Sequence, residues 1–433
     1  MPKVLIISHN PITTYNNMGK TIRSLFFTFS QEDLCQLYIY PSLPDEEYCA
    51  SYYRMTDKDV LRSYWTGRVA GREIESEEIS ADNKSMFEQA TDEALYRNPK
   101  NKRPLRMLLR DVLWMLARWN NRSLREWLDA QKPDCIFVAP GNAKFLYNIA
   151  LRIAKRLEIP IVTYVCDDYY FVRRSTGWLG RLCDGLLKRK IAQLMQKTAK
   201  IITICPSLEK LYSQRFGCPA VTVMTGASCP VAAESKKVTT PRSITYLGNI
   251  RCNRYVSLAQ IGKALDNFNE QYGQEALLHI YTAEKDETIL SAFEGIASVR
   301  LHGFVSGEEY ERVFRESDYL LHVEAFDEAS IDQVRHSVST KIADSLASGI
   351  GLLAYGPDCV ASMQYLIENE CALTATSPEQ LSAMLETAFL YPEQTQQTVQ
   401  KALAVAAENH DAQRVGERVR AVFTSVLAER KAI

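Results

Sequence analysis

No stretch of this 433-residue chain is apolar for long enough to cross a bilayer; none approaches about 18 to 20 uncharged apolar residues. The opening "MPKVLIISHN" has neither the long apolar region nor the small-residue cleavage site of a signal peptide and reads as a first strand. Net charge is nearly absent. With 51 Lys and Arg against 52 Asp and Glu, the balance of −1 gives no global field to attract nucleic acid. The eleven cysteines stand singly, without a C-x-x-C pair or a His/Cys cluster at zinc spacing. That pattern suggests neither a metal site nor a disulfide framework and suits a reducing cytoplasm. Repeats and low-complexity tracts are also missing. What the chain has is apolar mass, 46% of residues with 10% aromatic, enough for substantial cores. Its length predicts roughly two to three domains.

Short apolar runs alternate with amphipathic segments. In the first half, 3–8, 34–40, 134–140, 160–166, 200–205 and 220–224 read as buried strands, with helical patterns at 17–30, 143–157, 178–198 and 206–216. Such alternation implies a parallel, doubly wound α/β sheet. Residues 226–242, rich in small and polar types, read as a linker. Strands at 243–248, 277–283, 298–303, 318–324 and 351–356 then build a second domain of the same kind. Two such domains would face across a cleft at the carboxyl ends of their strands, where open α/β sheets bind ligands.

The stretch "HSVSTKIADSLASGIGLLAYGP" (336–357) carries polar residues at the start of an apolar helix. Ile342 and Leu346 form the packing face, Ser339 is a candidate N-cap and Gly349 a candidate stop. Thr340 and Lys341 then lie in the first turn, where amide groups and the helix dipole favour an anion, and Asp344 lies one turn further along. Phosphate at the tip and sugar hydroxyls beside it is the layout of a nucleotide. The alternative is an Asp344–Lys341 pair on a solvated face. Upstream, "YLGNIRCNRYVSL" places Gly248, Asn249, Arg251 and Arg254 after a strand end, and an arginine fork suits a diphosphate. In the first half, "HNPITTYNNMGKTIRSLFFTF" places Gly19 near a helix start, where a glycine lets a diphosphate approach the backbone. A Walker A loop would need glycine at 14, and Thr14 stands there.

Together these residues resemble the GT-B glycosyltransferases, the large group of retaining, nucleotide-sugar-dependent enzymes that build bacterial polysaccharides and glycoconjugates. The likeness covers nearly the whole chain and is strongest over 243–357. It implies two Rossmann-like domains, residues 1–225 for the acceptor, with a helical, basic insertion at about 45–130, and 243–391 for the donor. The last helices, 392–433, would cross back to the first domain. It also implies a donor site in which Asp344 holds the ribose hydroxyls, Ser339, Thr340 and Lys341 lie by the phosphates, and Arg251 or Arg254 neutralises the diphosphate, with Gly248 and Asn249 beside them and Gly19 approaching from the other domain. The donor is a nucleotide-diphosphate sugar, UDP foremost, with no metal and no other cofactor; the acceptor is a carbohydrate or lipid-linked hydroxyl.

The group often has two glutamates eight residues apart. Here Asp344 takes the second place and His336 stands eight before it; Glu324 in "HVEAFDEAS" matches the first only across an insertion of about a dozen residues. With that insertion Glu324 faces the donor sugar; without it, His336 or Glu328 does. Asp167 and Asp168 follow a first-domain strand and could position an acceptor hydroxyl or act as base, since neighbouring carboxylates raise one another's pKa. His9, ending the first strand, is a further candidate. A nucleotide-sugar epimerase of the same fold, a P-loop NTPase and a catalytically inactive nucleotide-binding partner are the competing readings.

Between 97 and 125 stand nine Lys or Arg and one acid, with Leu105, Leu108, Leu109, Val112, Leu113 and Leu116 at helical spacing and Trp114, Trp119 and Trp127 nearby. With a second basic and apolar stretch at 173–190, this predicts peripheral contact of 97–127 and 173–190 with an anionic membrane. No nucleic-acid recognition module accompanies the basic residues. The expected location is the cytoplasm, at the inner face of the cell membrane if that contact is made.

Overall fold

Apolar runs of five residues bounded by turn formers become fully buried parallel strands. The computed structural model describes residues 2–15, 17–66, 69–83, 104–172, 177–238 and 240–431. These form two compact units, residues 1–225 with 412–433, and residues 226–411.

The first unit runs β1 (Val4–Ser8), α1 (Asn17–Leu25), β2 (Leu34–Tyr38), β3 (Ser51–Arg54), α2 (Asp57–Thr66), β4 (Arg72–Ile74), α3 (Pro104–Leu116), α4 (Arg122–Gln131), β5 (Cys135–Ala139), α5 (Lys144–Leu157), β6 (Ile161–Val165), α6 (Gly177–Met195), β7 (Thr198–Thr203), α7 (Pro206–Phe216) and β8 (Ala220–Thr222). Its eight strands are ordered β4-β3-β2-β1-β5-β6-β7-β8. Among the described residues only β3 and β4 pair antiparallel. The segment expected as a helical insertion therefore also widens the sheet, while its residues 84–103 lie outside the described ones. Phe26, Phe29, Phe137 and Phe423 pack together at the core.

The second unit runs β9 (Ser243–Leu247), α8 (Arg254–Tyr272), β10 (Leu277–Tyr281), α9 (Glu287–Leu290), β11 (Val299–His302), α10 (Gly307–Glu316), β12 (Tyr319–Val323), α11 (Glu328–Val334), α12 (Thr340–Ala347), β13 (Gly351–Tyr355), α13 (Ala361–Glu368), β14 (Leu373–Ala375), α14 (Leu381–Leu390) and α15 (Pro392–Asn409). Its six strands are ordered β11-β10-β9-β12-β13-β14, all parallel. The chain leaves β9 toward one edge and returns to β12 on the other side, so the topological switch point lies between β9 and β12.

The return to the first unit starts later than the sequence suggests. Only α16 (Ala412–Lys431) belongs there; α15 packs on α12 and β13 of the second unit. His410 ends that stay: its ring meets Tyr365 Oη at 2.9 Å and its carbonyl accepts from Ala227 N at 2.7 Å. The linker is likewise tied to the second unit. Ala232 N donates to Ala347 O (2.8 Å), and the Lys236 ammonium caps the end of α10 through the carbonyls of Arg315, Glu316 and Ser317.

Candidate functional site

After β9 the chain must turn sharply to enter α8. Tyr246 Oη donates to Asn249 O (2.7 Å), and the Asn249 side chain accepts from Arg251 N (2.8 Å). Cys252 and Asn253 then take left-handed conformations, φ 55° and 53°, rare for side-chain-bearing residues. This turn aims Arg251 and Arg254 at two different carboxylates.

Arg254, the first residue of α8, reaches the end of β12. Its Nε lies 2.9 Å from Glu324 Oε2 and its Nη2 3.1 Å from Oε1, with Val323 O at 3.2 Å. Glu324 is only 4% exposed, and its carbonyl accepts from Ser257 Oγ at 2.9 Å. Burial pushes its pKa up, opposed by the Arg254 charge. Glu324, which the resemblance sets against a donor sugar, has both carboxylate oxygens in the Arg254 guanidinium fork here, and α11, capped by Asp327, fills the stretch between it and α12. His336 is half-buried and Glu328 exposed, outside that pairing. Beside it His322 is buried, with Nε2 3.7 Å from Glu324 Oε1 and without a hydrogen-bond partner among the described residues. Burial first, then the charges of Arg254 and Lys341, pushes its pKa down to about 3, so it is neutral at pH 7.

Arg251 is half-exposed and pairs with Glu284 beyond β10, at 2.5 and 2.9 Å. The Arg251 bonds hold Glu284 down to about 2, against its burial and helped by the amides of Asp286 and Lys285. Lys341 lies in the first turn of α12 and donates to Leu247 O, where β9 ends. A β-carbon at Gly248 would meet the end of the Lys341 side chain, which would have to shift to admit it. Ser339 and Thr340 sit half-buried at the same helix start, and Ser339 makes no side-chain cap. Gly349, φ +73°, stops the helix region as expected.

Asp344, on α12, meets the linker. Its Oδ1 accepts from Ser228 N at 2.6 Å, and Ser228 Oγ lies 3.4 Å from Oδ2. Sequence reasoning missed Ser228, Glu284 and His322. Of these, only His322 left a signal, a titratable residue inside the apolar run "DYLLHVE".

The first unit places Gly19, the candidate P-loop, Asp167, Asp168 and His9 as follows. Gly19 is buried, and a β-carbon there would lie 2.5 Å from Thr13 Oγ1 and 2.7 Å from Pro11 O. Its smallness serves helix–loop packing here. Thr14 N and Oγ1 are taken by Asp45, so this loop is not built as a phosphate cradle of the P-loop kind. Asp168, 2% exposed, accepts from the amides of Tyr170, Phe171 and Val172 at 2.8 to 3.1 Å and fixes its own loop. Asp167 is half-buried and lines a small pocket with Gly141, Tyr147, Tyr164 and Tyr169. His9 bonds to Asn10 at 2.7 Å, and burial lowers its pKa. A missed residue orders the same loop: buried Gln36 accepts from Ile12 N (3.0 Å) and donates to Ser8 Oγ and Asn10 O.

No family pattern matches the sequence, and no curated protein matches it. Solved structures do. HepE from Anabaena in complex with UDP aligns at a TM-score of 0.61 and 9% identity, over 98% of this chain and 100% of that one. Sucrose-phosphate synthase from Thermosynechococcus elongatus aligns at 0.62 and 10% identity over 98% and 99%. The α,α-trehalose 6-phosphate synthase of Burkholderia multivorans aligns at 0.61 and 13% identity over 100% and 98%. The chain therefore has the GT-B fold, two doubly wound α/β units, shared over its full length with these proteins.

Proposed function

We propose that this protein is a glycosyltransferase moving a sugar from a nucleotide-diphosphate donor, UDP foremost, to a hydroxyl acceptor. The observation that carries the reading is the set of cationic groups around the end of β9 in the second unit. Arg251 and Arg254 follow that strand end, and Lys341, in the first turn of α12 and one turn before Asp344, donates to Leu247 O there. Fixed cations and a helix N-terminus are what a departing nucleoside diphosphate needs, because negative charge grows on it as the glycosidic bond breaks. Arg251 is the half-exposed member and takes the diphosphate by exchanging Glu284 for phosphate oxygens. Glu324 acts indirectly, by holding Arg254 in place. Asp344 accepts the ribose hydroxyls, adding to or replacing its contact with Ser228.

The acceptor is assigned to the first unit, with Asp167 orienting its hydroxyl or taking its proton. Retention of anomeric configuration and a role in surface polysaccharide or glycolipid assembly are the finer parts of the reading, supported by the resemblance at 336–357, and a cytoplasmic location is supported by the scattered single cysteines. HepE has also been solved with UDP-glucose, which favours UDP as the carrier to try first.

The test incubates the protein with UDP-, GDP- and ADP-sugars, with and without sugar and glycolipid acceptors, and separates the products. Nucleotide release that needs an acceptor and persists in EDTA is expected. A sugar altered with donor alone would make it an epimerase, and binding without any turnover an inactive partner; either overturns the reading.

A further inference from the structure

Three neighbouring helices of the first unit leave apolar stripes uncovered. On α2, Leu61 is 50% and Trp65 84% exposed; on α3, Leu105, Leu109 and Leu116 are 57 to 61% exposed; on α6, Trp178 is 74% exposed. The stripes lie on packed neighbours, since Tyr64 Oη of α2 donates to Leu113 O of α3 (2.9 Å), and Cys183 Sγ of α6 lies 3.6 Å from Pro104 O. The inner side of α3 is fully engaged. Trp114 stacks on Phe145 with centroids 4.1 Å apart, its Nε1 donates to Asp57 at 2.6 Å, and Asp111 pairs with buried Lys144 at 2.5 Å. The helix is therefore anchored on one side and apolar on the other. Contiguous exposed apolar surface on a folded unit marks a contact site.

The aromatic anchors differ from those the sequence suggests. Trp114, Trp119 and Trp127 are buried at 1 to 4% exposure, whereas Trp65 and Trp178 project. Arg62, Arg106, Arg118 and Arg181 are exposed on or beside the same helices. Residues 67–68, 84–103 and 173–176 lie outside the described ones.

We infer that this surface docks onto an anionic bilayer. Tryptophans and leucines seat at the headgroup boundary while arginines meet lipid phosphates. A second copy fits less well, because a twofold contact would set the arginines of one copy against those of the other. The contact is peripheral, since among the described residues no helix is long and apolar enough to cross a membrane. It is independent of the donor chemistry.

The experiment is flotation of the full chain with phosphatidylcholine vesicles, plain or containing roughly one-quarter phosphatidylglycerol. Binding to the anionic vesicles alone, weakened at high salt, is expected. Trp65→Ala with Trp178→Ala, and separately Leu109→Glu, should each reduce it roughly tenfold or more without shifting the thermal melt. Arg62→Glu with Arg181→Glu gives a second test that removes charge and leaves apolar surface. Absence of binding, or binding equal in wild type and all variants, would overturn the inference. So would a dimer in sedimentation that Leu109→Glu dissociates, which would make this a contact between copies.

Discussion

Glu324→Ala is expected to destabilise the second unit by about 3 to 5 kcal/mol, because it leaves Arg254 as an uncompensated, largely buried cation. The loss should be partly recovered when Arg254→Met is added, since an apolar pair of similar volume removes the unpaired charge. The double variant should be more stable than Glu324→Ala yet bind nucleotide poorly. Measurement must target the correct unit. All five tryptophans (65, 114, 119, 127 and 178) belong to the first unit, so their fluorescence does not report on the second. Hydrogen exchange in β9, β12 and α8 does, and it avoids assuming a two-state transition for a two-unit chain. A Glu324→Gln variant of unchanged protection that loses all turnover would instead make Glu324 a catalytic group facing the sugar.

His322 supplies the second large effect, and its sign follows from its depressed pKa. The folded protein holds the ring near 3 while the unfolded chain takes a proton below the ordinary 6.5. The unfolded state therefore binds more protons between these values, and stability falls as pH drops through this window. The slope is at most about 1.4 kcal/mol per pH unit, or about 2 to 3 kcal/mol lost by pH 4.5. Glu324, whose pKa is raised, contributes a slope of the opposite sign, so the effect is read by subtraction. The stability gap between wild type and His322→Gln should shrink steadily from pH 7 to pH 4.5. A gap independent of pH would show that the ring is accessible to protons in the folded state.

The sheet strands were legible because parallel strands covered on both faces read as continuous apolar runs. β1, β5 and β6 are such runs, each buried throughout. β3 and β4 escaped notice because "SYYR" and "REI" are short and partly polar, and β4 forms the edge of the sheet, where one ladder is unpaired. The donor-site cations were found by type and position, since strand–loop–helix junctions put arginines near phosphates. Their partners were not. Arg251 with Glu284 and Arg254 with Glu324 are joined across 33 and 70 positions of sequence by the order of β10, β9 and β12. Gly19 shows the same limit: a glycine signals close approach, but sequence does not say whether a ligand or Pro11 comes close.

The central claim is that the second unit binds a nucleoside diphosphate with Asp344 on the ribose, and calorimetric titration of UDP into wild type and Asp344→Ala tests it most directly. The account predicts saturable binding by the wild type and a roughly tenfold to hundredfold weaker affinity in the variant, from about 1 to 3 kcal/mol of lost hydroxyl contacts. Equal affinity in both proteins, or no heat from UDP, GDP or ADP with the wild type, would contradict it.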